Sequence, residues 1–162
     1  MRRGLWFAAV LLTALTMGLE FAHALEWPAK QGYSGQLWVR LQESLYTWFG
    51  TLGAVVYVLA VIVGVVLAFR VRRAPTWWAA GLQVAALASF LAVIYPVNQR
   101  LPISSSDQVT VPVDWTSLRV RWELGHTVGF VLFLTAFVLL LTTTPEKDSD
   151  KQLEAPHLRS PN

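Results

Sequence analysis

Residues 20–30 read EFAHALEWPAK and close a long apolar run that begins near Gly4. This segment places two carboxylates, Glu20 and Glu26, and the imidazole of His23 within seven residues. A helix of about 20 apolar residues, rising roughly 1.5 Å per residue, crosses a hydrocarbon core of about 30 Å. The segment is therefore predicted to end a membrane span and to carry ionisable side chains there.

A second segment repeats this spacing of carboxylate and imidazole. Residues 123–126 read ELGH and open the last apolar run of the chain. Residues three positions apart on a helix are neighbours, with Cβ atoms about 5–6 Å apart. Each Glu-x-x-His pair can therefore project from one helix face, and we predict that the fold brings the two pairs together at one edge of a membrane.

The composition is that of a membrane protein. Of 162 residues, 54% are hydrophobic and only 14% are charged, a charged share well below that of soluble domains. The absence of cysteine excludes disulfides, thiolate metal sites and thiol catalysis. A net charge of +3, without a basic stripe interleaved with aromatic residues, argues against a nucleic-acid partner.

Four apolar runs have the length of a membrane span, at about residues 4–24, 52–69, 77–95 and 127–143. Pro96, Asn98 and Arg100 are predicted to end the third run. Asp114 is predicted to cap a helix that begins at Trp115 and continues into the fourth. Gln83 is the one strongly polar side chain of the third run, so it should face another helix rather than lipid. We predict an all-α, integral membrane four-helix bundle over residues 1–144.

Residues 36–49 have the pattern of an amphipathic helix. Apolar side chains recur at helical spacing at Leu37, Leu41, Leu45 and Trp48, and polar residues occupy the other faces. This helix is predicted to lie at the membrane interface on the outer side.

Basic residues predict the orientation. Arg2, Arg3, the cluster at 70–73 and the lysines of the tail would lie on one side, which the positive-inside rule makes cytoplasmic. Both termini are then cytoplasmic, at the inner membrane if the source is bacterial, and residues 145–162 form a polar, disordered cytoplasmic tail. Alternatively the first run is a cleaved secretory signal, because Ala22-His23-Ala24 matches an A-x-A cleavage site.

The polar residues at the outer edge are candidates for a metal or haem site. Two Glu-x-x-His helices with further carboxylates are the ligand set of di-iron four-helix bundles, and oxygen and imidazole ligands suit iron or manganese. A b-type haem is a second possibility, with one histidine from each helix as axial ligand. The candidate metal ligands are Glu20, His23, Glu26, Glu123 and His126.

A purely structural interpretation of these charges is also open. Arg119 lies four residues before Glu123, the spacing of a salt bridge along a helix surface. Lys30 could in the same way neutralise Glu26 or Glu20. In that case the ionisable residues form a structural ion-pair cluster that has no catalytic role.

Several of these segments resemble the anthrone-oxygenase-like family of small four-helix integral membrane proteins, most of which are grouped as a domain of unknown function. The resemblance covers roughly residues 5–140. It is most specific in the first and last of the matching segments, which are FAHALEWPAK at 21–30, Leu45-Tyr46 with Phe49-Gly50, Val97-Asn98, and Trp115-x-x-x-Arg119-x-x-Trp122-Glu123-x-Gly125-His126.

The resemblance implies an activity and a set of site residues. Some fungal members oxidise anthrones to anthraquinones with molecular oxygen. Many members have an Arg soon after the closing His, where this chain has Thr127-Val128-Gly129. The residues taken from the matching motifs are His23, Glu26, Asn98, Arg119 and His126 for catalysis, and Tyr46 and Trp122 for binding of a cofactor.

Two classes of function follow from these observations. The first is a membrane oxidoreductase in which an apolar phenolic, anthrone-like substrate reaches a polar Glu/His pocket from the bilayer, and His23 or His126 acts as base, with or without a metal. The second is a non-enzymatic membrane protein that binds a lipid, quinone or haem, or serves as a small partner subunit. Transport is disfavoured, because no charge lies at mid-membrane and no broken helix is evident.

Overall fold

A computed structural model describes residues 2–101 and 109–143; the predicted tail at 145–162 lies outside this part of the chain. The elements described are all helical, which confirms the predicted class. A π-helical turn, Phe49–Gly53, leads into α3, and a second one, Phe90–Ile94, joins α4 to α5. The helices are α1 Arg2–Lys30, α2 Gly35–Ser44, α3 Ala54–Val71, α4 Ala74–Ser89, α5 Tyr95–Arg100 and α6 Trp115–Leu141.

Four helical segments are long and apolar enough to cross a membrane, as predicted. Their outward faces remain apolar: Leu25, Ile62, Leu91 and Val131 are each more than half exposed. A surface of this kind is expected of a protein in contact with lipid, because a soluble protein rarely exposes so much contiguous apolar area. The four segments are Arg3–Lys30, Phe49–Val71, Ala74–Arg100 and Trp115–Leu141.

Each long helix packs mainly against two others. Helix α1 contacts α3 and α6, and α4 contacts the same two helices. Gln83 of α4 extends across the centre of this arrangement and donates a hydrogen bond to the Thr13 hydroxyl of α1, at 2.8 Å. The prediction that Gln83 faces another helix is thereby confirmed. Gly64 of α3 provides the space, because a Cβ there would lie 2.0 Å from the Gln83 Oε1.

Helix α1 is longer than predicted and continues through Pro28 to Lys30. The last carbonyls of a helix have no partner within it, and here the Arg119 guanidinium of α6 donates to the Lys30 carbonyl at 2.8 Å. The Lys30 side chain in turn lies 3.0 Å from the Glu26 carboxylate, one turn earlier. These contacts stabilise the last turn, so Glu26 and Lys30 belong to the helix and not to a loop.

The third span does not end at Tyr95 as predicted but continues through Pro96 to Arg100, the last of the three residues predicted to end it. A proline inside a helix removes one hydrogen bond and its ring collides with the carbonyl four residues earlier. The π-helical turn Phe90–Ile94 directly precedes Tyr95 and Pro96. A π turn changes the register of the backbone hydrogen bonds, and the helix can therefore continue to Arg100.

Helix α2 is shorter than the predicted 36–49. The Ser34 hydroxyl accepts a hydrogen bond from the Leu37 amide and caps its first turn. The helix buries Trp38 and Val39, whereas Leu37 is exposed. It ends at Ser44. Of the predicted apolar stripe, Leu37 faces outward and Leu41 packs against the core, whereas Leu45 and Trp48 lie beyond the end of α2.

The start of α6 was predicted correctly, but the role given to its capping residue was not. Trp115 is the first residue of α6 and Asp114 occupies the N-cap position without a side-chain capping bond. The Asp114 carboxylate instead pairs with the Arg100 guanidinium at 2.9 Å. This exposed ion pair links the end of α5 to the beginning of α6.

Candidate functional site

The two Glu-x-x-His segments lie side by side at one end of the helices, as the sequence predicts. Helices α1 and α6 contact each other along their lengths and bring residues about 100 positions apart into direct contact. We call the resulting group of side chains the polar cluster. Its buried members are Glu20, His23, Lys30, Arg119, Glu123 and His126.

The shortest contact between the two segments joins a carboxylate to an imidazole. Glu20 Oε2 lies 2.7 Å from His126 Nδ1, which is the distance of a short hydrogen bond. Gly129, one turn after His126, leaves space for this carboxylate, because a Cβ there would lie 2.9 Å from Glu20 Oε2. The pair is fixed by both helices, and we call it the Glu20–His126 dyad.

His23 lies directly against the dyad. Its ring centroid is 4.3 Å from that of His126 and 4.7 Å from the ring of Trp122. Its Nδ1 is buried without a hydrogen-bond partner, and the Glu26 Oε2 atom lies 3.8 Å from it. The His23 imidazole therefore packs among aromatic neighbours, and its Nδ1 is available to a ligand or to a proton.

Lys30 is the centre of the charged part of the cluster. Its ammonium lies 3.0 Å from the Glu26 carboxylate and 3.2 Å from that of Glu123. It also sits 4.7 Å from the Tyr46 ring centroid and 4.6 Å from that of Trp122, within the range of a cation–π contact. The two carboxylates and two aromatic faces around the Lys30 ammonium offset the free-energy cost of burying it.

Glu26 connects the buried cluster to the exterior. Its side chain is 39% exposed, whereas those of Glu20 and Glu123 are buried. It accepts a short hydrogen bond from the Tyr46 hydroxyl. Burial, followed by the Glu26 carboxylate, raises the pKa of Tyr46 above its usual value, so this phenol remains a donor at physiological pH.

Asn98, Trp122 and Arg119 occupy supporting positions. The Trp122 indole donates to the Asn98 Oδ1 at 3.1 Å, which orients the ring beside both histidines. Arg119 donates to the carbonyls of Lys30 and, at 3.4 Å, Tyr33. The guanidinium thus holds the end of α1, and Lys30 rather than Arg119 is the cation that contacts the Glu123 carboxylate.

Comparison with protein-family models, curated proteins and solved structures gave no match. The resemblance to the anthrone-oxygenase-like family therefore stays a prediction. The structure does establish where the assigned residues lie. All of them belong to the polar cluster or contact it directly, except Asn98, which reaches it through Trp122.

The cluster does not fit a di-metal centre. Among the described residues, no group of three or more histidine, aspartate or glutamate side chains is placed to hold a metal ion. The Lys30 ammonium lies between the Glu26 and Glu123 carboxylates, and Glu20 is engaged by His126. A divalent cation would have to displace Lys30, so the predicted ligand set has no support from this geometry.

The cluster does not fit a haem held between the two histidines either. The rings of His23 and His126 are in direct contact at 4.3 Å between centroids. Two axial histidines bind the iron from opposite faces of the macrocycle, so their rings cannot touch each other. The separation found here leaves no room for one.

Sequence reasoning missed the central role of Lys30. The spacing of Glu26 and Lys30 signalled an ion pair within one helix, and this pair is present. Its second partner, Glu123, is 93 positions further along the chain and is brought close only by the packing of α6 on α1. The space that Gly129 leaves for Glu20 was equally invisible in the sequence.

Proposed function

We propose that this chain is a membrane-embedded oxidoreductase that acts on an apolar phenolic, anthrone-like substrate. It removes a proton from the substrate, and molecular oxygen then oxidises the resulting carbanion. The observation that carries the proposal is the Glu20–His126 dyad, at 2.7 Å, in ring contact with His23. A carboxylate-oriented imidazole is a common general base. Ionisable groups at membrane depth are costly and usually serve a function.

The dyad supports a specific assignment of the proton. When Glu20 accepts a hydrogen bond from His126 Nδ1, the lone pair of the neutral ring resides on Nε2. His126 Nε2 then acts as the base, and Glu20 stabilises the imidazolium that forms. Trp122, in edge contact with His126 at 4.2 Å between centroids, offers an apolar wall for a flat substrate.

The abstracted proton can leave through His23 and Glu26. His23 lies between the buried dyad and Glu26, with Nδ1 3.8 Å from the Glu26 carboxylate, and Glu26 is the partly exposed member of the series. Small ring movements would close this gap to a hydrogen bond. His23 and Glu26 therefore act as proton carriers in the proposal, and Lys30 keeps the Glu26 carboxylate ionised by its proximity.

The proposed reaction is balanced without a protein-bound metal. Loss of a proton from an activated CH₂ group flanked by aromatic rings gives a delocalised carbanion. This carbanion is oxidised by O₂, the methylene carbon becomes a carbonyl carbon with one oxygen atom from O₂, and the other oxygen leaves as water. The chain contributes the base, the aromatic walls and a site from which bulk water is excluded.

In this proposal the four apolar segments cross the membrane and α2 lies at the membrane interface. Both termini then lie on the side of the Arg70–Arg73 turn, which the positive-inside rule makes cytoplasmic. The polar cluster lies at the outer boundary, where an apolar substrate dissolved in the bilayer can reach it.

The test is oxidation by the full chain reconstituted in lipid nanodiscs. Oxygen consumption and quinone formation from anthrone are measured for the parent and for His126→Ala and Glu20→Gln. The expected loss is about 100-fold or more for His126→Ala, because general base catalysis contributes roughly 10²–10⁴-fold. Asp114→Asn, at an exposed carboxylate paired with Arg100 outside the polar cluster, is the matched control and should retain the parent rate.

A second function is favoured by the pairing within the cluster. Lys30 is shared between two carboxylates and Glu20 is bonded to His126, the arrangement expected of a structural ion-pair cluster. In that case the protein binds an apolar ligand such as a quinone, or a partner subunit, without chemistry. Absence of oxidation by the parent protein, together with loss of thermal stability in both variants, would select this function.

A further inference from the structure

The Glu20–His126 dyad and His23 are closed off from the exterior in this structure. Glu20 and His23 are each 4% exposed, and His126 is 7% exposed. A base must come within hydrogen-bond distance of the proton that it removes. A flat ligand of several fused rings therefore reaches His126 only if part of the protein moves.

Two aromatic side chains from the connection between α2 and α3 cover His23. The Tyr46 ring centroid lies 4.9 Å from that of His23, and the Phe49 centroid lies 5.3 Å from it. The two covering rings are themselves in edge contact, at 5.7 Å between centroids. We call Tyr46 and Phe49 the aromatic gate.

The opposite wall of the site is fixed by polar contacts between α1 and α6. Glu20 pairs with His126 at 2.7 Å, and the Lys30 ammonium lies 3.2 Å from the Glu123 carboxylate. Separating the two helices would leave these buried groups without partners, which is strongly unfavourable. Helices α1 and α6 therefore stay together, and the aromatic gate is the side that can open.

The backbone that carries the aromatic gate is irregular. Tyr46 lies in a turn after the end of α2, and its amide donates to the carbonyl of Leu41, five residues earlier, at 3.1 Å. Phe49 is the first residue of the π-helical turn that leads into α3. Such turns are rare and frequently occur at functional sites. A change of hydrogen-bond register in this turn reorients Phe49 without unfolding α3.

One hydroxyl group holds the aromatic gate against the polar cluster. The Tyr46 hydroxyl donates a hydrogen bond to the Glu26 carboxylate, whose side chain is 39% exposed and lies at the edge of the cluster. The Lys30 ammonium, 4.7 Å from the Tyr46 ring centroid, adds a contact with the ring. The hydrogen bond can be removed by substitution while the ring and its contacts are retained.

The surface around the aromatic gate is apolar. Trp48 and Leu52, from the same connection, are 68% and 61% exposed, and Leu25, the neighbour of Glu26 on α1, is 63% exposed. Tryptophan gathers at the boundary between bilayer and water, and exposed apolar surface of this kind suits contact with lipid. An opening between α1 and this connection therefore leads into the bilayer.

We infer that the aromatic gate is a lateral entrance through which an apolar ligand passes from the bilayer to the Glu20–His126 dyad. The hydrogen bond between Tyr46 and Glu26 keeps this entrance closed. The inference rests on the proposed function in one respect, namely that a ligand reaches the dyad. It applies equally to a substrate that is oxidised and to a quinone that is only bound.

The test measures how fast the buried histidines react with a small reagent. The full chain in lipid nanodiscs is treated with diethyl pyrocarbonate, and mass spectrometry gives the modification rate of His23 and His126 relative to added N-acetylhistidine. Because a hydrogen bond to a charged group typically shifts an equilibrium by about tenfold or more, Tyr46→Phe should raise the rate at His23 roughly tenfold. Phe49→Ala, which removes the second covering ring, should raise it as well.

Matched controls carry the same substitutions away from the aromatic gate. Tyr95→Phe removes the hydroxyl of an exposed tyrosine on α5, and Phe69→Ala removes an exposed ring at the far end of α3; both should keep the parent rate. Rates are compared below the melting transition of each variant, so that modification reports opening and not unfolding. An unchanged rate at His23 in Tyr46→Phe, or an equal rise in Tyr95→Phe, would overturn the inference.

The route of entry is tested with two carbodiimides that react with carboxyl groups. In Tyr46→Phe, the lipid-soluble dicyclohexylcarbodiimide should label Glu20 faster than in the parent, and a water-soluble carbodiimide should not. Labelling of Glu20 by the water-soluble reagent at the same rate would overturn the lateral route.

These readouts require no turnover, so the two proposals can fail separately. A parent protein that oxidises nothing but shows the Tyr46→Phe response would contradict the oxidation alone. An active parent without that response would contradict the aromatic gate alone.

Discussion

At the scale of single residues, the position of one carboxylate depends on an absent side chain. Gly129 faces Glu20, and its missing Cβ is what allows the carboxylate to reach His126. Gly129 therefore makes room for the dyad, one turn after His126.

Gly129→Ala should disturb the dyad more than it disturbs the fold. The new Cβ would lie 2.9 Å from Glu20 Oε2, and the carboxylate, at the end of a flexible side chain, would move away from His126. Misplacement by about 1 Å can lower a rate roughly 100-fold, whereas alanine favours the helix by about 0.5–1 kcal/mol. We expect slower oxidation and a changed ¹⁵N chemical shift of His126, with little change in melting temperature.

The control for this substitution is Gly18→Ala. No atom lies within 4 Å of a Cβ built at Gly18, so the oxidation rate and the His126 shift should stay at parent values. An unaltered His126 shift in Gly129→Ala would contradict the role assigned to Gly129.

At the scale of elements, the sequence predicted the helices better than their ends. The apolar runs contain enough information for four long helices, because length and hydropathy suffice for that. The first span was predicted to end at about Ala24, before Pro28, and the third at about Tyr95, before Pro96. In both cases the helix continues because of contacts that a local pattern does not contain: a π turn before Pro96 and the Arg119 contact at the end of α1.

The same limit applies to the site. The Glu-x-x-His spacing predicted that the two segments share one location, and they do. It did not predict which carboxylate pairs with which cation, since Arg119 has the right spacing for Glu123 and yet binds carbonyls. Pairing in the cluster depends on side-chain reach across two helices, which one-dimensional spacing cannot give.

The packing of α3 against α4 can be tested at Gly64. A Cβ at this position would lie 2.0 Å from Gln83 Oε1, so Gly64→Ala should displace Gln83 from the Thr13 hydroxyl. Overpacking of this kind costs about 1–3 kcal/mol, measured as the free energy of unfolding in detergent. Gly81→Ala, on α4 with nothing within 4 Å, should instead be neutral or stabilising by about 0.5–1 kcal/mol. Equal stability of the two variants would contradict this account.

At the scale of the whole molecule, Lys30 joins the first long helix to the last. Its carbonyl accepts from Arg119 and its ammonium contacts Glu123, both on α6. Tyr46, between α2 and α3, packs against the same ammonium. Three separated parts of the chain are thus connected through one residue.

Lys30→Met should destabilise the molecule strongly. It retains the length of the side chain but leaves Glu123, whose side chain is fully buried, without its cation. Removal of one partner of a buried pair costs about 3–5 kcal/mol, measured by unfolding in a detergent titration. The double variant Lys30→Met/Glu123→Gln should recover part of this loss, whereas Arg121→Met at an exposed site should change little. A single variant as stable as the parent would refute the assignment.

The pairing of the first and last spans also has a consequence for biosynthesis. Glu20 and His126 are separated by 106 residues, which takes roughly 5–20 s to translate at about 5–20 residues per second. During that interval Glu20 lacks His126, and Lys30, although paired with Glu26 in its own helix, lacks Glu123. A chain truncated before Trp115 would keep Glu20 without its partner, which marks it as unassembled to any factor that recognises polar residues exposed in a bilayer. The polar cluster thus forms only after the last helix has been inserted.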